Sequence, residues 1–207
     1  MKELKVGLIG AGVMGKNIGK VLKELPTTIL QCIADCNIFE GKSYAEKLNA
    51  TFYEDYCDML EKESLDLIVV ATPEPFHKDP AVKAFQAGCH VFIEKPISTT
   101  LKDAEEIIKA GHKANKKLMV GFVLRFHPAY SNIKRAIEEG DIGKFLYAYA
   151  RRIGSLNSAR RLGTRVTVNE YIAIHDIDQI LWYNSVPVKS VSTKAVYGKV
   201  YEEIGTY

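Results

Sequence analysis

A glycine-rich hexapeptide near the start of the chain carries the first chemical signal. Residues 10–15 read GAGVMG, which has the spacing Gly-x-Gly-x-x-Gly. The first glycine permits a tight turn, the second lets a pyrophosphate approach the backbone, and the third allows close helix–strand packing. An apolar run precedes the motif and helical spacing follows it, as dinucleotide binding requires. The motif therefore predicts a cofactor phosphate site at a helix N-terminus, formed by Gly10, Gly12, Val13, Met14 and Gly15.

An acidic residue follows the second apolar run. Asp35 lies 20 residues after Gly15, directly behind residues 29–34. A carboxylate at this position accepts hydrogen bonds from a ribose diol, whereas its charge repels the 2′-phosphate of NADP. No arginine follows it immediately, since the next residues are Cys36 and Asn37. We therefore expect NAD to be the cofactor in preference to NADP.

A lysine stands where catalysis could occur. Glu94, Lys95 and Pro96 follow the apolar run 90–93, and ligands bind at the carboxyl ends of strands in open parallel sheets. A lysine there can hydrogen-bond an alcohol or carbonyl oxygen and stabilise negative charge on it. The alternative is a surface lysine ahead of a loop proline, and position alone does not choose between the two.

A histidine and an aspartate form the second candidate pair. His175 and Asp178 lie three residues apart in a predicted helix over residues 169–183, so they share one helix face. Alcohol oxidation needs a base near the hydroxyl group, and histidine has a suitable unperturbed pKa. The alternative is a histidine on the helix surface beside a solvated aspartate.

Alternating patterns predict the elements that must position these residues. Strand-like runs occur at 4–9, 29–34, 50–53, 65–71, 90–93 and 118–123, with helical spacing between them. Strands that alternate with helices indicate an α/β fold with a doubly wound parallel sheet. We predict a Rossmann domain over residues 1–124.

The pattern changes after that boundary. A helix is predicted over 128–139, a half-buried strand over 145–153, the helix over 169–183, and a further strand-like run over 188–200. We expect residues 125–207 to be the opening part of an α+β domain.

Composition excludes several classes of protein. The 207 residues carry 28 basic and 25 acidic side chains, a balance that argues against nucleic-acid binding. No apolar run approaches the ~20 residues of a membrane span, and the start of the chain lacks a signal-peptide pattern. The four cysteines form no metal-ligand spacing with each other or with histidine. We expect a cytoplasmic protein without a metal site.

Taken together, the motifs resemble the glucose-fructose oxidoreductase/inositol dehydrogenase family, abbreviated Gfo/Idh/MocA. The resemblance covers essentially the whole chain. The motifs that carry it recur in order: GAGVMG at 10–15, Ala71-Thr72-Pro73 with His77, Glu94-Lys95-Pro96, Gly121-Phe122 with Arg125-Phe126, and His175-Asp176-Ile177-Asp178.

The resemblance implies a role for each motif. Lys95 would be the catalytic lysine, next to a peptide bond before Pro96 that is often cis, and His175 would be the acid/base of the substrate pocket. Asp178 would contact the substrate or orient His175. The remaining implied residues are Thr72, Pro73 and His77 on the nicotinamide ribose side, Glu94 with the cofactor, and Arg125 and Tyr171 near the substrate.

The chain departs from this family at one position. Many active members carry an aspartate four residues before the pocket histidine, where this chain has Tyr171 preceded by Glu170. A tyrosine cannot act as a carboxylate base at neutral pH, and Glu170 could replace the aspartate only if the backbone rotated it inward. The resemblance also implies that residues 125–207 are the N-terminal part of an α+β substrate and oligomerisation domain, incomplete here because the family's domain normally continues further than residue 207.

The sequence thus predicts an NAD-dependent oxidoreductase that moves a hydride between the cofactor and a hydroxyl of a small sugar, polyol or nucleotide sugar. The alternative is a non-catalytic dinucleotide-binding sensor or scaffold of the same fold. A third class, amino-acid or imine reductases, is disfavoured by the pairing of Glu94-Lys95-Pro96 with His175. Homo-oligomers are the habit of the family and are expected here.

Overall fold

The computed structural model describes residues 3–155, 157, 160, 165–184 and 186–194. Contacts divide the chain into two compact units, Met1–Gly121 and Phe122–Tyr207. The boundary predicted near residue 124 lies close to this division.

The first unit is built on a parallel sheet. Among its described residues the sheet has six strands in the order β3-β2-β1-β4-β5-β6, and every neighbouring pair is parallel. This is the strand order of a Rossmann fold, whose direction of winding reverses between β1 and β4. The strands are β1 Leu4–Ile9, β2 Thr28–Ala34, β3 Thr51–Tyr53, β4 Leu67–Val70, β5 His90–Ile93 and β6 Leu118–Val120. The predicted α/β fold class is confirmed.

The helices of the first unit follow the strands in alternation. They are α1 Val13–Glu24, α2 Ile38–Leu48, α3 Tyr56–Lys62, α4 Lys78–Gln86 and α5 Leu101–Lys113. Side chains fix several of their starts. The Thr100 hydroxyl accepts a hydrogen bond from the Asp103 amide at the start of α5, as an N-cap residue does. The Asn37 side chain likewise accepts one from the Glu40 amide at the start of α2.

Two apolar clusters explain why the strands are uniformly hydrophobic. In one, Ile68, Val70 and Ile93 of the sheet pack with residues of α3, α4 and α5, including the fully buried Phe85. In the other, Val6 and Leu8 pack with residues of α1 and α2. Successive strand residues point to opposite faces, so burial on both faces removes the polar positions that a half-exposed strand would show.

The second unit contains helices among its described residues. These are α6 Pro128–Glu138 and α7 Ile174–Tyr183, the latter preceded by a π-helical segment over Asn169–Ala173. The helix predicted over 169–183 is therefore present but changes its winding at its start. Tyr183 of α7 donates a hydrogen bond to the carbonyl of Tyr130 in α6.

The strand predicted over residues 145–153 is wrong. This segment has no regular secondary structure, and its large side chains are exposed, with Leu146 at 90% and Tyr149 at 76%. Alternation creates a side that could be buried, but a strand also needs a neighbour for its backbone groups, and the described residues supply none. Residues 188–194 likewise lack regular structure, and the rest of the run predicted over 188–200 lies outside the described residues.

No helix in the described part of the chain is long and apolar enough to cross a membrane.

Candidate functional site

The carboxyl ends of the parallel strands bring the sequence motifs of the first unit to one edge. Gly10 follows β1, Asp35 follows β2, Ala71 follows β4, and Glu94 follows β5. Hydrogen bonds between backbone groups join these strand ends. The Gly10 N–H donates to Ala34 O at 2.8 Å, and the Glu94 N–H donates to Val70 O at 2.9 Å. This edge lies at the reversal of strand order, where ligands bind in open α/β sheets.

The fold requires two glycines of the turn after β1, and a third leaves space beside the backbone. Gly10 has φ +96°, and a Cβ on it would lie 2.7 Å from the backbone of Ala71. A Cβ on Gly15 would lie 1.9 Å from the Gly10 carbonyl oxygen. Gly12, in contrast, has no heavy atom within 4 Å of the position of a Cβ. Gly10 and Gly15 thus serve the fold, whereas Gly12 leaves open space beside the backbone.

The start of α1 presents backbone amides to that open space. Gly12 occupies the N-cap position and makes no capping hydrogen bond through a side chain, because it has none. Val13 and Met14 begin the helix and are exposed. The first amides of a helix have no partners within it and carry its partial positive charge. A diphosphate group fits this arrangement in both space and charge.

Asp35 is held against the same turn. Its Oδ2 accepts a hydrogen bond from the Ala11 amide at 2.5 Å, and its Oδ1 accepts one from the Asn37 amide at 2.7 Å. Each carboxylate oxygen can accept further bonds. The side chain is therefore fixed next to the phosphate turn with acceptor capacity left for a ribose diol.

The loop after β4 touches the turn on its other side. A Cβ on Gly10 would also lie 2.8 Å from the amide nitrogen of Thr72, so the two loops are in close contact. The Thr72 hydroxyl donates to the carbonyl of Phe76 at 3.0 Å, and Pro73 precedes a single 3-10 turn over Glu74–Phe76. Thr72 and Pro73 thus lie at the predicted cofactor edge.

His77 is buried and not on the open edge. Its ring is 1% exposed and lies between two backbone carbonyls, with Nδ1 2.8 Å from Pro96 O and Nε2 2.9 Å from Thr72 O. Burial lowers the pKa of His77, and the hydrogen bonds to the two carbonyls oppose this. Any effect of this residue on a cofactor passes through the loops that it joins.

Lys95 occupies a half-buried position after β5. The Lys95–Pro96 peptide bond is cis, as the family resemblance implies. Burial lowers the pKa of Lys95, and the negative charges of Glu94 and Glu74 oppose this. A lysine with a lowered pKa can exchange a proton closer to neutral pH than an exposed one.

Glu94 is buried beside that lysine. It is 5% exposed, and its Oε2 accepts a long hydrogen bond of 3.2 Å from the Lys95 amide. Its Oε1 has no hydrogen-bond partner among the described residues and lies near Gly121, where a Cβ would approach it to 3.2 Å. Burial raises the pKa of Glu94, against the charge of Lys95. A buried acceptor without a partner indicates room for a donor from a ligand or water.

In the second unit, Arg125 and Asp178 bind each other. The guanidinium donates from Nε to Oδ2 at 2.9 Å and from Nη2 to Oδ1 at 2.5 Å. Asp178 is 6% exposed, and Arg125 also lies over the rings of Phe122 and Trp182. The structure thus pairs two residues that the sequence assigned separately to the substrate. The predicted contact of Asp178 with His175 stays a prediction.

Glu170 is hydrogen-bonded at the start of the helix that carries His175. Its carboxylate accepts hydrogen bonds from the amide and the hydroxyl of Thr167, at 2.8 and 2.9 Å. The Glu170 amide in turn approaches the Thr167 hydroxyl at 3.3 Å. This reciprocal pattern is a capping box, so Glu170 is engaged in starting the helix. Tyr171 lies within the π-helical segment, and both it and His175 are partly buried.

Sequence reasoning missed two features of this unit. Arg152 forms a bidentate pair with Asp176, with its shortest bond at 2.6 Å, and no local signal links residues 24 positions apart. Gln179 is 4% exposed, and both atoms of its side-chain amide lack hydrogen-bond partners among the described residues. Its place one turn after His175 was the available signal, since i and i+4 share a helix face.

Within the described part of the chain, no three His, Cys, Asp or Glu side chains form a cluster that could hold a metal ion.

Comparison with known proteins decides the family. The sequence profile of the Gfo/Idh/MocA oxidoreductase family, with an NAD-binding Rossmann fold, matches residues 4–122. The chain belongs to this family. The phosphate turn, Asp35 and Lys95 all lie within the matched residues.

Individual Gfo/Idh/MocA relatives carry out different reactions. The chain is 30% identical over 154 residues to 2,7-anhydro-N-acetylneuraminate hydratase of Mediterraneibacter gnavus, covering 74% of this chain and 41% of the relative. It is 29% identical over 195 residues to inositol 2-dehydrogenase of Salmonella typhimurium, covering 91% and 56%.

A solved structure of this family contains both a cofactor and a polyol. Scyllo-inositol dehydrogenase from Lactobacillus casei with bound NAD(H) and scyllo-inositol superposes with a TM-score of 0.78 at 27% identity, over 88% of this chain and 56% of that chain. The chain spans about half the length of the relatives it matches.

Proposed function

We propose that this protein is an NAD-dependent dehydrogenase that acts on a secondary hydroxyl of a polyol, sugar or nucleotide sugar. The observation that carries the proposal is the cofactor edge of the first unit, where the open space at Gly12, the amides of α1 and the fixed Asp35 fit a dinucleotide. The relatives that act on inositols support the substrate class.

Each group of residues has a distinct task in this proposal. The amides after Gly12 bind the pyrophosphate, Asp35 accepts hydrogen bonds from the adenosine ribose, and Thr72, Pro73 and Glu94 line the nicotinamide side. When bound, the nicotinamide ring supplies the acceptor for the hydride of the alcohol. The preference for NAD over NADP follows from the negative charge of Asp35, which would repel a 2′-phosphate.

Lys95 and His175 handle the proton. Lys95 hydrogen-bonds the substrate oxygen and stabilises the negative charge that develops on it. Burial has already lowered the pKa of Lys95, which brings it closer to the range useful for proton transfer. We assign His175 as the acid/base, and the ion pair between Arg125 and Asp178 fixes these two side chains relative to each other.

The test combines cofactor binding with turnover. Isothermal titration with NAD and NADP should show tighter binding of NAD, and a panel of inositols, aldoses and nucleotide sugars should produce NADH absorbance with at least one member. Lys95→Ala should lower kcat about 100-fold or more and leave the Kd for NAD within about twofold. Lys109→Ala is the matched control, because Lys109 is exposed on α5 and, among the described residues, forms a surface ion pair with Glu105. Turnover that survives Lys95→Ala would refute the assigned chemistry.

A second candidate is dinucleotide binding without turnover, as in a sensor or scaffold. The observation that favours it is the capping-box role of Glu170. Because Glu170 is engaged there, the position four residues before His175, where many family members carry an aspartate, offers only the hydroxyl group of Tyr171. It predicts NAD binding with no NADH formation across the same panel.

We also propose a cytoplasmic homo-oligomer. The four cysteines are free thiols, which suits a reducing compartment. The exposed apolar side chains of Leu146, Tyr147, Tyr149 and Ile153 favour association with another copy. Light scattering coupled to gel filtration tests the oligomer, and a monomeric mass at micromolar concentration would contradict it.

A further inference from the structure

His77 joins two loops that follow neighbouring strands. Thr72 belongs to the loop after β4, and Pro96 belongs to the loop after β5. The imidazole reaches both main chains, with Nε2 2.9 Å from Thr72 O and Nδ1 2.8 Å from Pro96 O. The ring is 1% exposed, so water does not compete for either bond.

Each loop carries a different part of the proposed chemistry. The Thr72 amide packs against the phosphate turn, within 2.8 Å of where a Cβ on Gly10 would lie. Pro96 follows Lys95 directly in the chain. A shift of the first loop would therefore change the shape of the cofactor edge, whereas a shift of the second would displace the lysine ammonium.

The two partners of the ring are both acceptors. A neutral imidazole has one N–H, whereas the imidazolium donates from both nitrogens. Burial favours the neutral form, while the two carbonyls and the nearby carboxylate of Glu74 favour the protonated form. The neutral ring therefore donates to one of the two carbonyls and the imidazolium donates to both, and in either form the rigid ring spans the distance between the two loops.

We propose that His77 is a positioning residue with two separable effects, in which its Nε2 places the Thr72–Pro73 loop for cofactor binding and its Nδ1 places Lys95 for the chemical step. This inference rests on the proposed dehydrogenase function. It assigns no contact between His77 and the substrate or cofactor.

Two variants separate the effects. The amide nitrogen of asparagine can occupy the position of Nδ1, and that of glutamine can occupy the position of Nε2. His77→Asn should therefore keep the bond to Pro96, retain kcat at saturating cofactor, and weaken NADH binding about tenfold. His77→Gln should keep the bond to Thr72, bind NADH within about twofold of the parent, and lower kcat about tenfold.

The controls distinguish positioning from a general loss of stability. Each variant replaces the ring by a single amide and leaves one of the two carbonyls without its contact, so both should melt below the parent, whereas only positioning splits Kd from kcat. His112→Asn, at an exposed site on α5, should change neither quantity. Equal effects of the two His77 variants on both quantities would overturn the inference and leave the proposed function intact.

Failure of the proposed function would be visible in the parent protein. A parent that does not bind NADH overturns both proposals. A parent that binds NADH without any turnover overturns the dehydrogenase alone, and the inference is then decided by NADH affinity, which must be weaker for His77→Asn than for His77→Gln. If neither variant folds, long-range proton–nitrogen NMR spectra of the parent decide: a His77 ring that exchanges between its two tautomers, instead of showing one tautomer or the imidazolium, would overturn the inference.

Discussion

The phosphate turn gives the sharpest prediction, because its glycines differ in what surrounds them. Gly12→Ala places a methyl group where no protein atom lies within 4 Å, at a residue with φ −70°. Alanine adopts this conformation readily, so the fold should tolerate the change. The methyl group instead occupies the space that a pyrophosphate would need, so cofactor binding should be lost while the protein stays folded.

The structure sets the expected magnitudes. Alanine is a poorer N-cap than glycine by about 0.5–1 kcal/mol, and restricting the unfolded chain offsets part of this, so the free energy of unfolding should change by less than about 1 kcal/mol. Displaced phosphates lose charge-assisted hydrogen bonds to the amides of α1, worth about 1.5–3 kcal/mol each. Loss of one such bond weakens NAD binding by at least about tenfold.

Calorimetric titration with NAD and thermal unfolding measure the two quantities. Gly10→Ala is the contrasting variant, because its φ of +96° and its 2.7 Å approach to Ala71 should destabilise the fold by about 3 kcal/mol or more. Gly88→Ala measures the cost of a positive φ without a steric clash, since Gly88 has φ +81° and no heavy atom within 4 Å of the position of a Cβ. Tight NAD binding by a folded Gly12→Ala protein would refute the proposed phosphate site.

Two further predictions concern charges. Arg125→Ala leaves the carboxylate of Asp178, 6% exposed, without its partner and should destabilise the fold by about 3 kcal/mol. Arg152→Ala leaves the carboxylate of Asp176, 20% exposed, without its partner and should cost about 1 kcal/mol or less, because water solvates that carboxylate better. Urea unfolding checks both, and equal losses would contradict the burial argument. Glu94→Gln should gain thermal stability over the parent as pH rises from 4.5 to 7, because burial raises the pKa of Glu94. The contribution of Glu94 to stability is complete below its pKa in the unfolded chain and is lost as pH rises through its pKa in the folded protein. The thermal stability of Glu40→Gln relative to the parent should instead fall over the same pH range, since Lys16 lowers the pKa of Glu40. A Glu94→Gln protein that melts below the parent at pH 7 would show that the buried carboxylate is stabilised by contacts beyond those described.

Much of the first unit could be read from the sequence because its determinants are local. Strands buried on both faces become continuous apolar runs, and the glycine spacing of 10–15 fixes a turn between a strand and a helix. The position of Asp35 follows from the length of one strand–helix–strand unit. These patterns predicted the fold class and the cofactor edge, and the family match confirmed the fold class.

Other features depend on residues that are distant in the chain. Arg125 and Asp178 are 53 positions apart, and each was assigned to the substrate before the structure showed that they bind each other. The ring of His77 meets Pro96, 19 positions away, so its burial could not be seen in the local pattern. The strand predicted over 145–153 failed for the same reason, because alternation specifies a face but not a neighbour.

The sequence by itself determined which segments are strands and helices in the first unit, and which residue types stand at the ends of its strands. It could do so because side-chain periodicity and glycine conformation act within a few residues. Only the tertiary structure decided which distant groups meet: the guanidinium of Arg125 with the carboxylate of Asp178, and the imidazole of His77 with two carbonyls. Hydrogen bonds and burial depend on distances in space, and those distances are set by the packing of the whole unit.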